Sequence, residues 1–71
     1  MEKIADSLGN KIKQIRSSKG ISQEAFANSI GLHRTYMGAV ERGEKNITIV
    51  TASKIAGGLK ISLSELLKGI D

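Results

Sequence analysis

The chain has 71 residues, 39% hydrophobic and 25% charged, which is the mix of one small globular domain rather than of a disordered segment. It holds no cysteine and one histidine, which excludes a disulfide framework, a thiolate metal site and a zinc finger; no cofactor is expected. Eleven Lys and Arg against seven acids leave a net charge of +4, a bias toward anionic partners and toward nucleic acid first. The apolar runs are far short of the ~20 residues of a membrane span, and Glu2 and Asp6 interrupt any leader-like stretch, so a small cytoplasmic protein is expected.

Apolar residues recur at helical spacing along the whole chain, with no convincing strand, so the expected class is all-α. Ile4, Leu8, Ile12 and Ile15 form one stripe on a first helix over residues 2–18, which Gly20 ends. The cations Lys11, Lys13, Arg16 and Lys19 read either as a basic patch or as a solvated helix face. Ser22 suits the cap of a second helix, with Glu24 in the first turn where the helix dipole favours an anion. That helix would bury Phe26, Ala27 and Ile30 and stop at Gly31. A third helix is expected from Arg34 to Arg42, with Met37 and Val40 inward and Gly43 at its end.

Glu44 to Ile47 reads as a polar loop. Thr48 then caps a fourth helix carrying Ala52, Ile55, Ala56 and Leu59, whose last turn is weakened by Gly57 and Gly58 and is predicted to end early or fray. Ser62 and Glu65 form a capping box for a fifth helix, with Leu63, Leu66 and Leu67 apolar and Gly69 closing it.

Helices two and three are separated only by the residues around Gly31, and a tight turn there gives the crossing of a helix-turn-helix. Ala27 is small where the two helices approach most closely. Gly31, one turn later, takes the left-handed conformation at no steric cost. Phe26, Ile30, Leu32, Met37 and Val40 would fill the inner face. The expected organisation is a single domain, 1–71, with the helix-turn-helix at about 22–43.

Residues 12–67 resemble the lambda-repressor-like, Xre-type helix-turn-helix family in the runs IKQIRSSKGISQEAFANSIGL, VERGEKNIT and IAGGLKISLSELL. Within it, LHRTYMGAVERGEKNIT looks most like the controller proteins of restriction–modification systems. Those are small dimeric regulators that control transcription of their own gene and of the endonuclease gene. The resemblance implies a compact five-helix DNA-binding domain whose third helix enters the major groove. Arg34, Thr35 and Tyr36 then lie at base edges, and Lys45 reaches bases from the following loop. The Arg34 fork suits guanine O6 and N7 together. Tyr36 either packs on thymine methyls or is a partly buried core aromatic.

Gln23, Gly38, Arg42 and Asn46 are the expected contacts to the DNA backbone. For Gln23 the alternative is a plain helix-opening residue, and for Gly38 simple tolerance of glycine. The resemblance further implies that Arg16 and Glu41 form a structural ion pair tying helix one to helix three. His33 is expected either to cap the third helix, more weakly than serine or aspartate would, or to lie near a phosphate, and Lys60 stands where relatives commonly have a stopping glycine.

A small core and a recognition helix that reads few base pairs both favour a homodimer on a pseudo-palindromic operator. Some of Leu63, Leu66, Leu67 and Ile70, with Ile49 or Ile61, in a dimerisation region of about 49–71, are the candidate interface; the alternative is that the fifth helix simply caps the core of its own chain. The expected function is a sequence-specific DNA-binding transcriptional regulator of the controller type, with double-stranded DNA as partner and RNA polymerase as a further one for activation. Glu24 is either a contact for polymerase or an acid stabilising its own helix. The alternatives are a prophage-type repressor, an antitoxin, or a helix-turn-helix module that bridges proteins. The sequence offers no cysteine, acid–base constellation or phosphate-cradling glycine loop for an enzyme.

Overall fold

The computed structural model describes residues 3–70. Among them the chain forms α1 (Lys3–Ser18), α2 (Gln23–Ser29), α3 (Arg34–Glu41), α4 (Ile49–Leu59) and α5 (Leu63–Leu67), with no strand. The expected helix start at residue 2 and the last residue of the expected 49–71 region lie outside the described residues. No described helix is long and apolar enough to cross a membrane.

Helices α2 to α5 begin where polar side chains satisfy their free N–H groups. Ser22, Thr48 and Ser62 accept from the backbone N–H of Ala25, Thr51 and Glu65 at 3.1, 3.1 and 2.9 Å. At α3 the cap is His33, whose Nδ1 accepts from the Thr35 N–H at 3.0 Å. Between α2 and α3 the Leu32 N–H bonds the Ala27 carbonyl at 2.9 Å and the Gly31 N–H bonds that of Asn28 at 3.2 Å. This paired closure requires a left-handed residue, and Gly31 supplies it with φ +74°. The turn is therefore as short as the helix-turn-helix reading demands.

Every helix sends at least one fully buried side chain into a common core: Ile12, Phe26, Met37, Ile55, Leu59 and Leu66. Each such side chain contributes about 1.5–3 kcal/mol relative to exposure. The inward face of α1 differs from the expected stripe. Ile4 is 55% exposed and Ile15 half-buried, while Ala5, Leu8, Gly9, Ile12 and Arg16 face inward. The reason is close helix approach: a Cβ on Gly9 would run into the carbonyl oxygens of Val40 and Glu41 at the end of α3. Small residues let α1 lie against that backbone, and Ile4 is left at the rim. Ile30, expected to be buried, is half-buried against the core.

The fourth helix does not end early. It runs unbroken through Gly57 and Gly58 to Leu59. Gly58 is there for packing: a Cβ would come within 2.5 Å of Ile30 Cγ2 and 3.0 Å of Phe26 Cε1. The glycine lets α4 sit directly on α2. Lys60 then takes the left-handed conformation, φ 62° and ψ 38°, that a stopping glycine would supply without strain. At the far end, Lys11 Nζ donates to the carbonyls of Glu65 and Lys68 at 2.7 and 2.6 Å, capping α5 from α1. Leu66 is fully buried in its own chain and is corrected out of the candidate dimer interface, because no partner can reach it.

Candidate nucleic-acid interface

The position of α3 is set from inside. Met37, Gly38, Ala39, Val40 and Glu41 are buried along it. Arg16 of α1 reaches Glu41 through two bonds, Nε to Oε2 at 2.7 Å and Nη2 to Oε1 at 3.0 Å, and its Nη1 donates to the Ile21 carbonyl at 2.7 Å. Only 10% and 2% of the two side chains are exposed, so this pair is a tie between helices, as the resemblance implied. Hydrogen bonding to Glu41 holds the Arg16 guanidinium more firmly protonated, against the opposing effect of burial. Gln23, the first residue of α2, adds a third member: its Nε2 donates to Glu41 Oε1 at 3.1 Å. One carboxylate thus fixes α1, α2 and α3 in register.

The other side of α3 faces outward. Arg34 and Thr35 are exposed, and Tyr36 is half-buried against the core. Two shallow clefts flank the helix. One is lined by His33, Thr35, Tyr36, Ala39, Arg42, Glu44 and Lys45, the other by Gln23, Arg34, Thr35, Gly38 and Arg42. The tip residues Arg34, Thr35 and Tyr36 therefore come together with Lys45, Arg42 and Gln23 on one surface; Asn46 lies exposed in the loop just beyond.

Gly38, expected as a contact to the DNA backbone, is buried at the floor of the second cleft, and a Cβ there would lie 3.2 Å from both Arg42 Nη1 and Gln23 Oε1. The close approach it permits is to its own chain, letting these two polar side chains converge over the middle of α3. Gln23 is half-buried and engaged with Glu41 through its carboxamide.

Two surface cations have carboxylate neighbours. Arg34 Nη1 lies 3.5 Å from Glu24 Oε1, both side chains mostly exposed. Arg42 meets Glu44 with two hydrogen bonds, Nε to Oε2 at 2.8 Å and Nη2 to Oε1 at 3.2 Å. These bonds raise the basicity of Arg42 and hold the Glu44 carboxyl below the usual carboxylate range, with Lys45 adding to the lowering. In the sequence Glu44 reads only as part of a polar loop, although an acid so close to Arg42 across a glycine turn is a usable signal. Lys11 reads there as a surface cation. Of the run of cations in α1, Lys11 and Arg16 are committed internally, while Lys13 is exposed on the helix and Lys19 just after it.

At the start of α4, Ile49 and Val50 are 63% and 70% exposed. Ile61, Leu63, Leu67 and Ile70 are half-buried. Val50, beside the expected Ile49, is an apolar position that the Thr48 cap alone does not mark.

Comparison with known proteins bears on this geometry along the whole chain. The helix-turn-helix family profile matches residues 12–66. The control protein C.MunI of Mycoplasma sp is 44% identical, over 100% of this chain and 97% of its own. The fold is similar to the crystal structure of the restriction–modification controller protein C.AhdI from Aeromonas hydrophila, with a TM-score of 0.84 and 40% identity over 87% of this chain and 94% of that one. It is equally similar to the controller protein C.Esp1396I, solved as a tetramer in complex with its natural 35 base-pair operator: TM-score 0.85 and 34% identity, covering 99% and 97%. The chain belongs to the helix-turn-helix family and is similar from end to end to the restriction–modification controller proteins.

Proposed function

We propose that this protein is a sequence-specific DNA-binding regulator of the controller type, which reads an operator with the tip of α3. The observation that carries the reading is the outward tip itself. Arg34 and Thr35 are exposed, while the inner face of the same helix is locked through Glu41 to both neighbouring helices. A rigid helix with a free polar end is what base readout needs, because recognition requires side chains held in register on base edges. Arg34 takes a guanine, Thr35 a neighbouring edge, and the Tyr36 ring, held by the core on one side, offers the rest of its surface to a thymine methyl or a phosphate. Lys45 approaches bases as a point charge. Gln23, Arg42 and Asn46 line the path of the DNA backbone.

The protein acts as a homodimer in this reading. The exposed Ile49 and Val50, with half-buried Ile61, Leu63, Leu67 and Ile70, support an apolar contact formed by α4 and α5. Two recognition helices then lie about 34–36 Å apart, one DNA turn, and the operator is an inverted pair. Activation additionally requires contact with RNA polymerase.

Selection of bound duplexes from a random pool tests the reading. The expected result is enrichment of an inverted repeat with a guanine in each half-site. A pool that stays random would leave a protein-bridging module as the better account. For the dimer, Ile49→Glu with Val50→Glu should shift the chain toward monomer in analytical ultracentrifugation, and an undiminished dimer would remove this interface.

A further inference from the structure

We infer that Glu44 sets the balance between specific and non-specific DNA binding by holding the Arg42 guanidinium in a two-bonded pair at the edge of α3. The inference rests on the DNA-reading function proposed above.

The pair is built rather than incidental. Gly43, at φ +78°, turns the chain back on α3, and the Glu44 N–H bonds the Ala39 carbonyl at 2.9 Å. This fixes the backbone from which the Glu44 side chain meets Arg42 through Nε and Nη2 together. A planar fork matched to a carboxylate is the geometry that a fork matched to a phosphate would use. The Arg34–Glu24 approach differs: it is one contact at 3.5 Å and offers no such fit.

The place of the pair decides its effect. Arg42 and Thr35 are the two side chains common to both clefts beside α3, so Arg42 stands where a backbone passing either flank must come close. On a random duplex, affinity comes from cations that each neutralise a phosphate and release counterions. An arginine already neutralised by a carboxylate supplies little of this, and the carboxylate repels phosphate. On the operator, base contacts at the α3 tip hold the backbone against Arg42 long enough for phosphate to replace Glu44. Glu44 therefore weakens random binding more than operator binding, and the ratio between them rises.

The test uses the full chain as wild type, Glu44→Gln, and Glu44→Gln with Arg42→Ala. Each is titrated by fluorescence anisotropy against the pool-enriched duplex and a random duplex of equal length, over about 50–200 mM salt. Glu44→Gln should bind the random duplex about three- to tenfold more tightly and steepen the salt dependence by roughly one phosphate contact, a slope change of about 0.9. The enriched duplex should gain less, and Arg42→Ala should abolish the gain. An unchanged random-duplex affinity, an equal gain on both duplexes, or a gain that survives without Arg42 overturns the inference. A wild type that fails to distinguish the two duplexes removes the DNA-reading function, and this inference with it. A wild type that distinguishes them while Glu44→Gln changes nothing removes the inference alone.

Discussion

Arg16 and Glu41 join α1 to α3 with 10% and 2% of their side chains exposed, whereas Arg34 and Glu24 face each other at 3.5 Å with 65% and 62% exposed. The same two residue types do opposite work in the two places. Inside, the charges have left water, and their bonds to each other, to Ile21 and to Gln23 are what make that tolerable; loss of one partner strands the other. Outside, water screens the pair, and an exposed ion pair contributes about 0–1 kcal/mol. The buried side of α3 thus determines where the helix sits, and the exposed side remains free to exchange its carboxylates for another anion.

The sharpest way to break this contrast is Glu41→Ala. It should cost about 3–5 kcal/mol in urea unfolding, a large share of a small domain's stability. Replacing both members with apolar side chains of similar volume should restore most of the loss. If Glu41→Ala costs no more than a surface change, the buried tie is not holding α3.

Arg34→Ala is the counterpart on the outer face. Stability should stay within about 0.5 kcal/mol of wild type, while operator binding loses about 1–3 kcal/mol and preference relaxes at one guanine. Equal loss on random duplexes would show that Arg34 touches only phosphate.

A smaller effect is expected at the end of α4. Lys60→Gly should raise stability by about 1 kcal/mol, since Lys60 alone among the described non-glycine residues has a positive φ. A loss on thermal unfolding would mean that the lysine side chain offsets the strain.

The smallest effect concerns Arg42 and Glu44. Arg42 holds the Glu44 carboxyl below its ordinary range, so the folded chain binds that proton less readily than the unfolded chain. The contribution to stability is therefore present above the ordinary carboxylate range and is lost as pH falls through the lower folded value. Wild type should lose its small advantage over Glu44→Gln in acid, and an advantage that grows there would reverse the sign of the coupling.

Much of the fold was legible because its signals are local. Ser22, His33, Thr48 and Ser62 cap helices through residues two or three positions away, and the glycine stops act within one turn. The failures needed knowledge of what lies across the molecule. Ile4 fits an apolar stripe on paper, but the inward face of α1 is drawn by Gly9 and Arg16 meeting α3. Gly58 weakens a helix in isolation and is required once Phe26 and Ile30 lie beneath it. Leu66 and Leu67 look equivalent in sequence, yet Leu66 is fully buried while Leu67 is half-buried against the core. At the candidate site, the family resemblance implied Arg34, Thr35, Tyr36, Arg42 and Lys45, and the structure places them around the outer side of α3. Of the side-chain pairings beyond Arg16–Glu41, Glu44 on Arg42 left a local signal in the sequence, whereas Gln23 on Glu41 and Lys11 on α5 depend on helix crossings and left none.

Amide-shift mapping by NMR of the full chain with the pool-enriched duplex tests the central claim most directly. The account predicts that perturbations concentrate on Gln23, Arg34, Thr35 and Tyr36 and extend through Arg42 to Lys45 and Asn46, with α5 unmoved. Perturbations confined to α5 and the start of α4, leaving Arg34 to Tyr36 untouched, would contradict it.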